Sequence, residues 1–383
     1  MEAEDKSVTQ SIIDVLPEEI DDFELQVKRF RAGEWDEIDF QAFRLKQGIY
    51  GQRQPESQMV RVKVPFGGLT ADQLDALGHV AAKYAPLNKG HVTTRENFQY
   101  HHVKLDDTPS FMRVIGAVGL TTREACGNTV RNVTGCAMAG VCPDEPFDVT
   151  PYAAAYARYF ARHPYTQALP RKLKTAFSGC DRDCAITAIH DMGFIPKVID
   201  GKQGFQVKTG GGTSIMAKIA PTLYEFVPMD EYLKVTEAVI RIFHRSDELR
   251  KNRMKARIKF LIARIGIDEF RQMVDEELKE PWAQKSFDPT SLLFIENEAL
   301  NAPIPPPEGY HTNGNRADFQ HWVETNVEKQ RQEGYCVATL KLPLGDINST
   351  QFHQLADLSR QYAGGRARIT HQQNIALRWV PEG

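Results

Sequence analysis

Two close pairs of cysteines are the residues of this chain best suited to chemistry. Cys136 and Cys142 stand in TGCAMAGVCPDE as C-x5-C, and Cys180 and Cys184 in SGCDRDCA as C-x3-C. Thiolates are soft ligands and each short spacing brings two of them to one turn, a donor set that can hold an iron–sulfur cluster. Zinc competes for such sites, but zinc ribbons favour C-x2-C knuckles, so gaps of five and three lean toward iron and sulfide. The plain alternative is a set of small buried hydrophobes, which is how Cys126 and Cys336 read when taken singly.

A second group is cationic. Arg61 lies in MVRVKVP, Arg95 in TTRENFQ, Arg131 in GNTVRNV, and Lys172 and Lys174 in LPRKLKTAF. Period-two spacing sets the two lysines on one face of a strand. Held together, such ammonium groups bind a small anion and can deliver protons to it; spread apart, they are a solvated edge. Residues 245–264 carry eight basic and two acidic side chains on a helical pattern. That stretch is either a solvent-facing helix or a contact for a polyanion. GGGTS at 210–214 offers permissive backbone for close approach to a ligand.

Composition narrows the field. With 47 basic and 50 acidic side chains among 383 residues, the net charge of -3 disfavours a dedicated nucleic-acid binder. No run approaches the ~18 apolar residues of a membrane helix, and MEAEDKSVTQ lacks the basic-then-apolar order of a secretory signal. The expectation is a soluble, cytoplasmic protein of two or three domains with neither a membrane nor a nucleic-acid partner. In a reducing compartment, five cysteines within 59 residues point to metal or redox chemistry rather than to disulfides.

These side chains need strands and helices to hold them. Residues 1–45 read as an amphipathic helical lead-in. MVRVKVPFGG alternates as a strand into a Pro-Gly turn, ADQLDALGHVAAKY repeats apolar residues at helical spacing, and HVTTRENFQYHHVKL alternates again. YCVATLKLPLGDINSTQFHQLADLSRQYAGGRARITHQQNIALRWV spells the same unit 278 positions later. Lys63 meets Lys341, Pro65 meets Pro343, Gly67 meets Gly345, Gln73 meets Gln351, Leu77 meets Leu355 and Tyr84 meets Tyr362; after one residue is dropped, Thr93 meets Thr370 and Asn97 meets Asn374. A repeat of this length implies two similar halves about a pseudo-twofold axis.

Between the copies, DVTPYAAAYARYFARH reads as a helix with Thr150 as N-cap and Pro151 at its first position. LKTAFSG, FIPKVID and GKQGFQVKT read as strands, and a long helical region runs from about Met229 to Lys279. APIPPPEGY is a Pro-rich connector. The expected divisions are 46–120 for the first half-unit, 121–300 for the middle domain, 301–330 for a linker and 331–383 for the second half-unit. Nothing follows the second copy as residues 120–290 follow the first, so the expectation is a truncated product or a fragment of a longer protein.

In their order and separation, MVRVKVPFGG, HVTTRENFQYH, GNTVRNV, LPRKLK, TGGGTS, RIKFLIARIG and RITHQQNIALRWVPEG resemble the siroheme- and [4Fe-4S]-dependent sulfite and nitrite reductases. The resemblance covers nearly the whole chain beyond about residue 45. It implies an α+β fold in which a pseudo-twofold pair of ferredoxin-like half-domains accompanies a siroheme-binding α+β domain, with the second half truncated here. It also implies a siroheme whose iron shares a cysteine thiolate with a [4Fe-4S] cluster, and six-electron reduction of sulfite to sulfide or nitrite to ammonia. By the same resemblance Arg61, Arg131, Lys172 and Lys174 surround the anion and supply protons. Arg95, Thr94, Asn97, Gln99, Gly210, Gly211, Gly212, Arg257 and Lys259 would hold the siroheme, whose eight carboxylates give the basic stretch a partner. Lys-x-Lys in the LPRK motif tilts the expected substrate toward sulfite. The chain shows no flavin or nicotinamide domain, so electrons are expected from a separate donor, most simply ferredoxin.

The cysteines depart from the family pattern. Familiar members carry them after the second copy of the unit; here C-x5-C-x37-C-x3-C lies in the first half, interleaved with the anion-binding residues. Either Cys136, Cys142, Cys180 and Cys184 bind the cluster, with Cys184 bridging to siroheme by analogy with the last cysteine of the family motif, or they are relics or an additional site. The first is the expectation. A siroheme- or cluster-binding module without turnover and a zinc-stabilised nucleic-acid binder are the competing classes.

Overall fold

The computed structural model describes residues 11–285, 288–305 and 316–382. The lead-in forms two helices, Pro17–Arg31 and Glu37–Lys46. The first buries Ile20, Phe23 and Val27, one face at helical spacing. The second is capped by Asp36, whose carboxylate accepts from the Ile38 and Asp39 amides. Phe30 stacks on Phe40 at 4.1 Å and closes the pair.

The duplication is present in three dimensions. Strands Ile49–Gly51, Ser57–Val62, Phe98–Lys104 and Lys89–Val92 lie side by side in that order, antiparallel, with helix Ala71–Tyr84 joining them. Val327–Lys329, Tyr335–Leu340, Ile375–Pro381 and Arg366–Ile369 repeat the arrangement with helix Ser349–Tyr362. The copies agree down to their turns: Phe66 and Leu344 share a positive φ, and both helices open with a capping box, Thr70 with Gln73 and Asn348 with Gln351. The structure adds an exchange. Gly68–Thr70 pairs with Arg366–Ile369, and Asp346–Asn348 pairs with Lys89–Val92, so each five-stranded sheet takes one edge strand from the other half-unit. Leu74, Leu77, Phe352 and Leu355 bury the two helices in one shared core.

The middle domain has its own sheet. Thr134–Gly135, Thr175–Phe177 and Met192–Ile199 run parallel, and Lys202–Thr209 and Thr222–Pro228 continue antiparallel. Tyr156, Phe177, Phe194, Phe205 and Tyr232 pack its core beneath helices Thr150–Phe160 and Tyr232–His244. Thr150 is the first helical residue rather than the cap; its amide donates to Asp148 Oδ1 at 2.8 Å. The long helical region is broken into Tyr232–His244, Asp247–Arg250, Ile258–Ile265 and Ile267–Glu277. Asn252 caps a short turn and Gly266, at φ 88°, ends a helix, so residues 245–264 form no continuous basic face. Within the expected linker, Arg316–Asn326 is a helix and Val327–Lys329 a strand, while residues 306–315 lie outside the described residues. No helix among the described residues is long and apolar enough to cross a membrane.

One carboxylate pins the chain onto the second half-unit. Buried Glu298 accepts from Arg368 at 3.0 Å, from Trp379 Nε1 at 3.2 Å and from Arg378. Burial alone would raise its pKa; Arg378 and Arg368 overcome that and hold it at about 2. A folded value below the unfolded one means that the stabilisation is complete above about pH 4.5 and is lost as pH falls toward 2. Glu298→Ala leaves two buried guanidiniums without a counter-charge and is expected to cost about 3–5 kcal/mol in chemical denaturation near neutral pH. The gap between variant and wild type is expected to shrink as pH falls.

Candidate functional site

Strands Thr134–Gly135 and Thr175–Phe177, a parallel pair at one edge of the middle domain's sheet, are flanked by both chemical groups, the cations before them in sequence and the cysteines after. At the first end, the Arg131 amide donates to Leu173 O at 2.9 Å and its Nε to Ala125 O at 2.8 Å. Arg61 Nη1 reaches the same Ala125 carbonyl at 3.2 Å and Cys126 Sγ at 3.4 Å. The Gln99 amide, turned so that its oxygen faces the guanidinium, accepts from Arg61 Nε at 3.1 Å. Lys172 and Lys174 follow on the neighbouring chain segment, half-buried. Neither ammonium makes a hydrogen bond or ion pair with the described residues.

The electrostatics of this end favour negative charge. Burial first, then Arg95, Lys172 and Arg257, push Lys174 down to about 7, with only Asp191 opposing. Burial, then Arg131 and Arg171, push Lys172 down to about 8. Arg131 is lowered to about 9 by burial, with Arg61 and Arg95 adding to the effect. An anion placed among these groups would raise all three values and be held in return.

The other residues expected at the cofactor are mostly occupied with the protein itself. Arg95 donates to Thr175 O at 3.0 Å, to Thr134 Oγ1 at 3.3 Å and to Asn132 O, tying its turn to both parallel strands. Asn97 closes that turn by accepting from Thr93 Oγ1 at 2.6 Å, while Thr94 at its tip is exposed. Arg257 grips Asp191 with two bonds of 2.7 Å. Lys259 Nζ sits in a cage of carbonyls, 3.0 Å from Thr213 O and 3.1 Å from both Ile215 O and Met216 O. The glycines fit tight backbone approaches: a Cβ at Gly211 would lie 2.4 Å from Ala188 O, one at Gly210 2.7 Å from Ile262 Cδ1, and one at Gly212 3.2 Å from Lys259 Cδ. Lys172, Lys174 and Arg131 therefore keep donors free for a polycarboxylate or a small anion, as does Arg257 through Nη1, whereas the Lys259 ammonium is taken up by carbonyls.

Sequence reasoning missed several residues here. Asp191, almost fully buried, also takes the Lys174 amide at 2.7 Å, and its carbonyl takes the Gly210 amide and the Thr209 hydroxyl. Glu96 accepts the Gly135 amide at 2.8 Å, leaves its second oxygen unpartnered, and is raised to about 8 by burial. Arg61, Gln99, His91 and Asp346 stand in one cross-strand row, with His91 Nδ1 3.0 Å from Asp346 Oδ1. Lys89 and His101 join this row around a hollow of about 250 Å³. Isolated acids carry no spacing signal, and Asp346 arrives on the exchanged strand.

At the opposite end, Cys136, Cys142, Cys180 and Cys184 come together. The Cys136 amide donates to Phe177 O at 3.0 Å. Its thiol hydrogen-bonds to Cys184, Cys184 is bonded in turn to Cys180, and Arg182 reaches Cys142 Sγ at 3.3 Å. The bond from Cys136, helped by Arg182, pulls the Cys184 thiol down to about 6 against burial, and the same bond drives Cys136 well above the ordinary thiol range. Among the described residues, no three His, Cys, Asp or Glu side chains are gathered as a single metal ion requires. An all-sulfur quartet is the donor type that an iron–sulfur cluster takes. Cys126 lies beside Arg61 and Cys336 is buried in the second half-unit's sheet.

Residues 126–282 match the family described as the nitrite and sulphite reductase 4Fe-4S domain, and residues 50–118 and 328–383 match the nitrite/sulfite reductase ferredoxin-like half domain. The chain is 31% identical over 370 residues to a ferredoxin–nitrite reductase of Synechococcus elongatus, covering 93% of this chain and 66% of that protein. It is 29% identical over 325 residues to sulfite reductase (ferredoxin) 1 of Mycolicibacterium paratuberculosis, covering 85% and 53%. The structure of Mycobacterium tuberculosis NirA superposes with a TM-score of 0.76 at 27% identity, covering 96% of this chain and 65% of that one. The chain thus spans between half and two thirds of the length of these relatives. With the half-domain matched on both sides of the 4Fe-4S domain, as the duplicated fold requires, this chain belongs to the nitrite and sulphite reductase family.

Proposed function

We propose that this chain binds sulfite or nitrite at Arg61, Arg131, Lys172 and Lys174 and reduces it through six electrons on a siroheme, with electrons drawn from ferredoxin. The observation that carries the reading is the pair of half-buried ammonium groups that no carboxylate of the described residues pairs, set beside Arg61 on its strand and Arg131, whose amide is tied to Leu173 O. Siroheme, when bound, supplies the iron that holds the anion and passes electrons to it. The chain's own work is binding and proton supply. Arg61 and Arg131, anchored on Ala125 O, orient the anion. Lys174, lowered to about 7, can give up a proton at neutral pH and regain it from solvent as oxygens leave as water. Lys172, at about 8, holds charge beside it.

Relatives named for nitrite and for sulfite both match, and Lys174 in the Lys-x-Lys pair supports sulfite. Six unpaired cysteines accord with a reducing, cytoplasmic setting. Full-length protein purified anaerobically is expected to show siroheme absorption and to consume sulfite or nitrite with reduced ferredoxin. A colourless protein, or a coloured one with no turnover of either anion, would overturn the proposal.

A further inference from the structure

The three residues inside C-x3-C are all charged, Asp181, Arg182 and Asp183, and the fold gives them different partners. Asp181 pairs with Lys197 at 2.7 Å. Asp183 takes the Thr187 amide and hydroxyl, each at 2.9 Å, while its own amide donates to Cys180 O at 3.1 Å and closes the turn. Both acids are thereby engaged elsewhere. Arg182 is the member of the three that reaches the thiols: its Nη2 donates to Cys142 Sγ at 3.3 Å, and it is bonded to Cys180 as well.

The guanidinium thus joins the two cysteine pairs. Its Nε lies 3.1 Å from Asp144 Oδ2, two residues beyond Cys142 on the other loop. The planar fork of an arginine can serve a carboxylate along one edge and sulfur along another, which a lysine cannot do. Burial raises the Cys142 thiol, and the Asp144 amide and then Arg182 work against it. At Cys184 the bond from Cys136 comes first, and Arg182 again favours the thiolate. The Arg182 and Asp144 side chains are 56% and 57% exposed. An ion pair so open to water contributes little to folding, so the arginine acts on the sulfurs more than on the fold.

A thiolate-ligated cluster gains one negative charge on reduction, and its potential follows the local charge and the hydrogen bonds to its sulfurs. A cation bonded to two of the four ligands favours the more negative state, and a charged donor does so more strongly than a neutral one. We propose that Arg182 raises the reduction potential of the [4Fe-4S] cluster held by Cys136, Cys142, Cys180 and Cys184, through its bonds to Cys142 and Cys180, and so eases the uptake of electrons from the donor. The inference rests on the cluster that the family implies for these cysteines, and on the reading above only for the donor.

The test is a redox titration of full-length, anaerobically purified protein, followed by the EPR signal of the reduced cluster. Arg182→Ala is expected to shift the balance between reduced and oxidised cluster about tenfold toward oxidised at a fixed potential, a midpoint lower by about 59 mV for one electron. Arg182→Gln, which keeps a donor without the charge, is expected to fall by nearly as much, and Arg182→Lys by less. Iron and sulfide content is expected to match wild type in all three, which also shows that they fold. An unchanged or raised midpoint in Arg182→Ala, a fall in Arg182→Lys as large as in Arg182→Ala, loss of iron and sulfide in the variants, or wild-type protein with zinc or no metal at these cysteines would overturn it. The shift is expected with or without siroheme. Protein that carries the cluster alone and shows the shift would support this inference and remove the proposed function.

Discussion

Lys174→Ala is expected to lower sulfite turnover by about 10²–10³-fold while siroheme content is unchanged, the size of effect that follows loss of a positioned proton donor and a charge on the developing anion. The lysine is suited to that role because burial and its neighbours lower it to about 7, within reach of neutral pH. The same values give a pH dependence for binding. In the anion-free protein Lys174 loses its charge near pH 7 and Lys172 near 8. Affinity for nitrite, whose own charge is constant over that range, is therefore expected to fall as pH rises through 7 to 8. A flat nitrite titration from about pH 6 to 9 would remove both lysines from the pocket. Folding stability runs the other way. A lysine lowered in the folded state is carried charged by the unfolded chain up to about 10.5, so the unfolded state binds more protons between 7 and 10.5. The anion-free protein is expected to gain stability as pH rises across that window.

Asp191→Ala is expected to destabilise the protein by about 2–4 kcal/mol, because it removes a buried carboxylate and strips the partly exposed Arg257 guanidinium of its counter-charge. Asp191 does three things at once. It grips Arg257 with two bonds, fixes the backbone of Lys174 through that residue's amide, and offsets part of the positive field on the Lys174 ammonium. Urea denaturation at neutral pH measures the loss. Asp191→Asn keeps the shape and one acceptor oxygen and is expected to cost less while still lowering turnover, since Lys174 then faces its cationic neighbours unopposed. Equal stability of wild type and Asp191→Ala would show that Arg257 finds another partner.

Much of this was legible in the residues, for reasons that can be named. Thr93 to Asn97 and Thr370 to Asn374 are spaced alike because each pair closes the same turn, the Thr amide donating to the Asn carbonyl at 2.9 Å in both copies. The thiol quartet was visible because metal chemistry demands donors of one type at short range. Less was visible where function depends on partners distant in sequence. Sequence spacing did not show that the Lys259 ammonium sits among four loop carbonyls, nor that Arg257 pairs with Asp191, 66 residues away. The eight basic residues from 245 to 264 suggest one face, but Arg245 pairs with Glu277 and Lys251 with Glu248, and the chain turns between them.

The exchange of edge strands bears on how the molecule is made. The first half-unit's sheet is not complete until Asp346–Asn348 has been synthesised, and the second takes Gly68–Thr70 from a segment made long before. Contacts that far apart in sequence are slow to form, and an emerging chain must hold Lys89–Val92 with an open edge until its partner arrives. The nascent first half is therefore a natural client for chaperones, and premature release ahead of residue 346 would leave an edge strand free to pair with another chain.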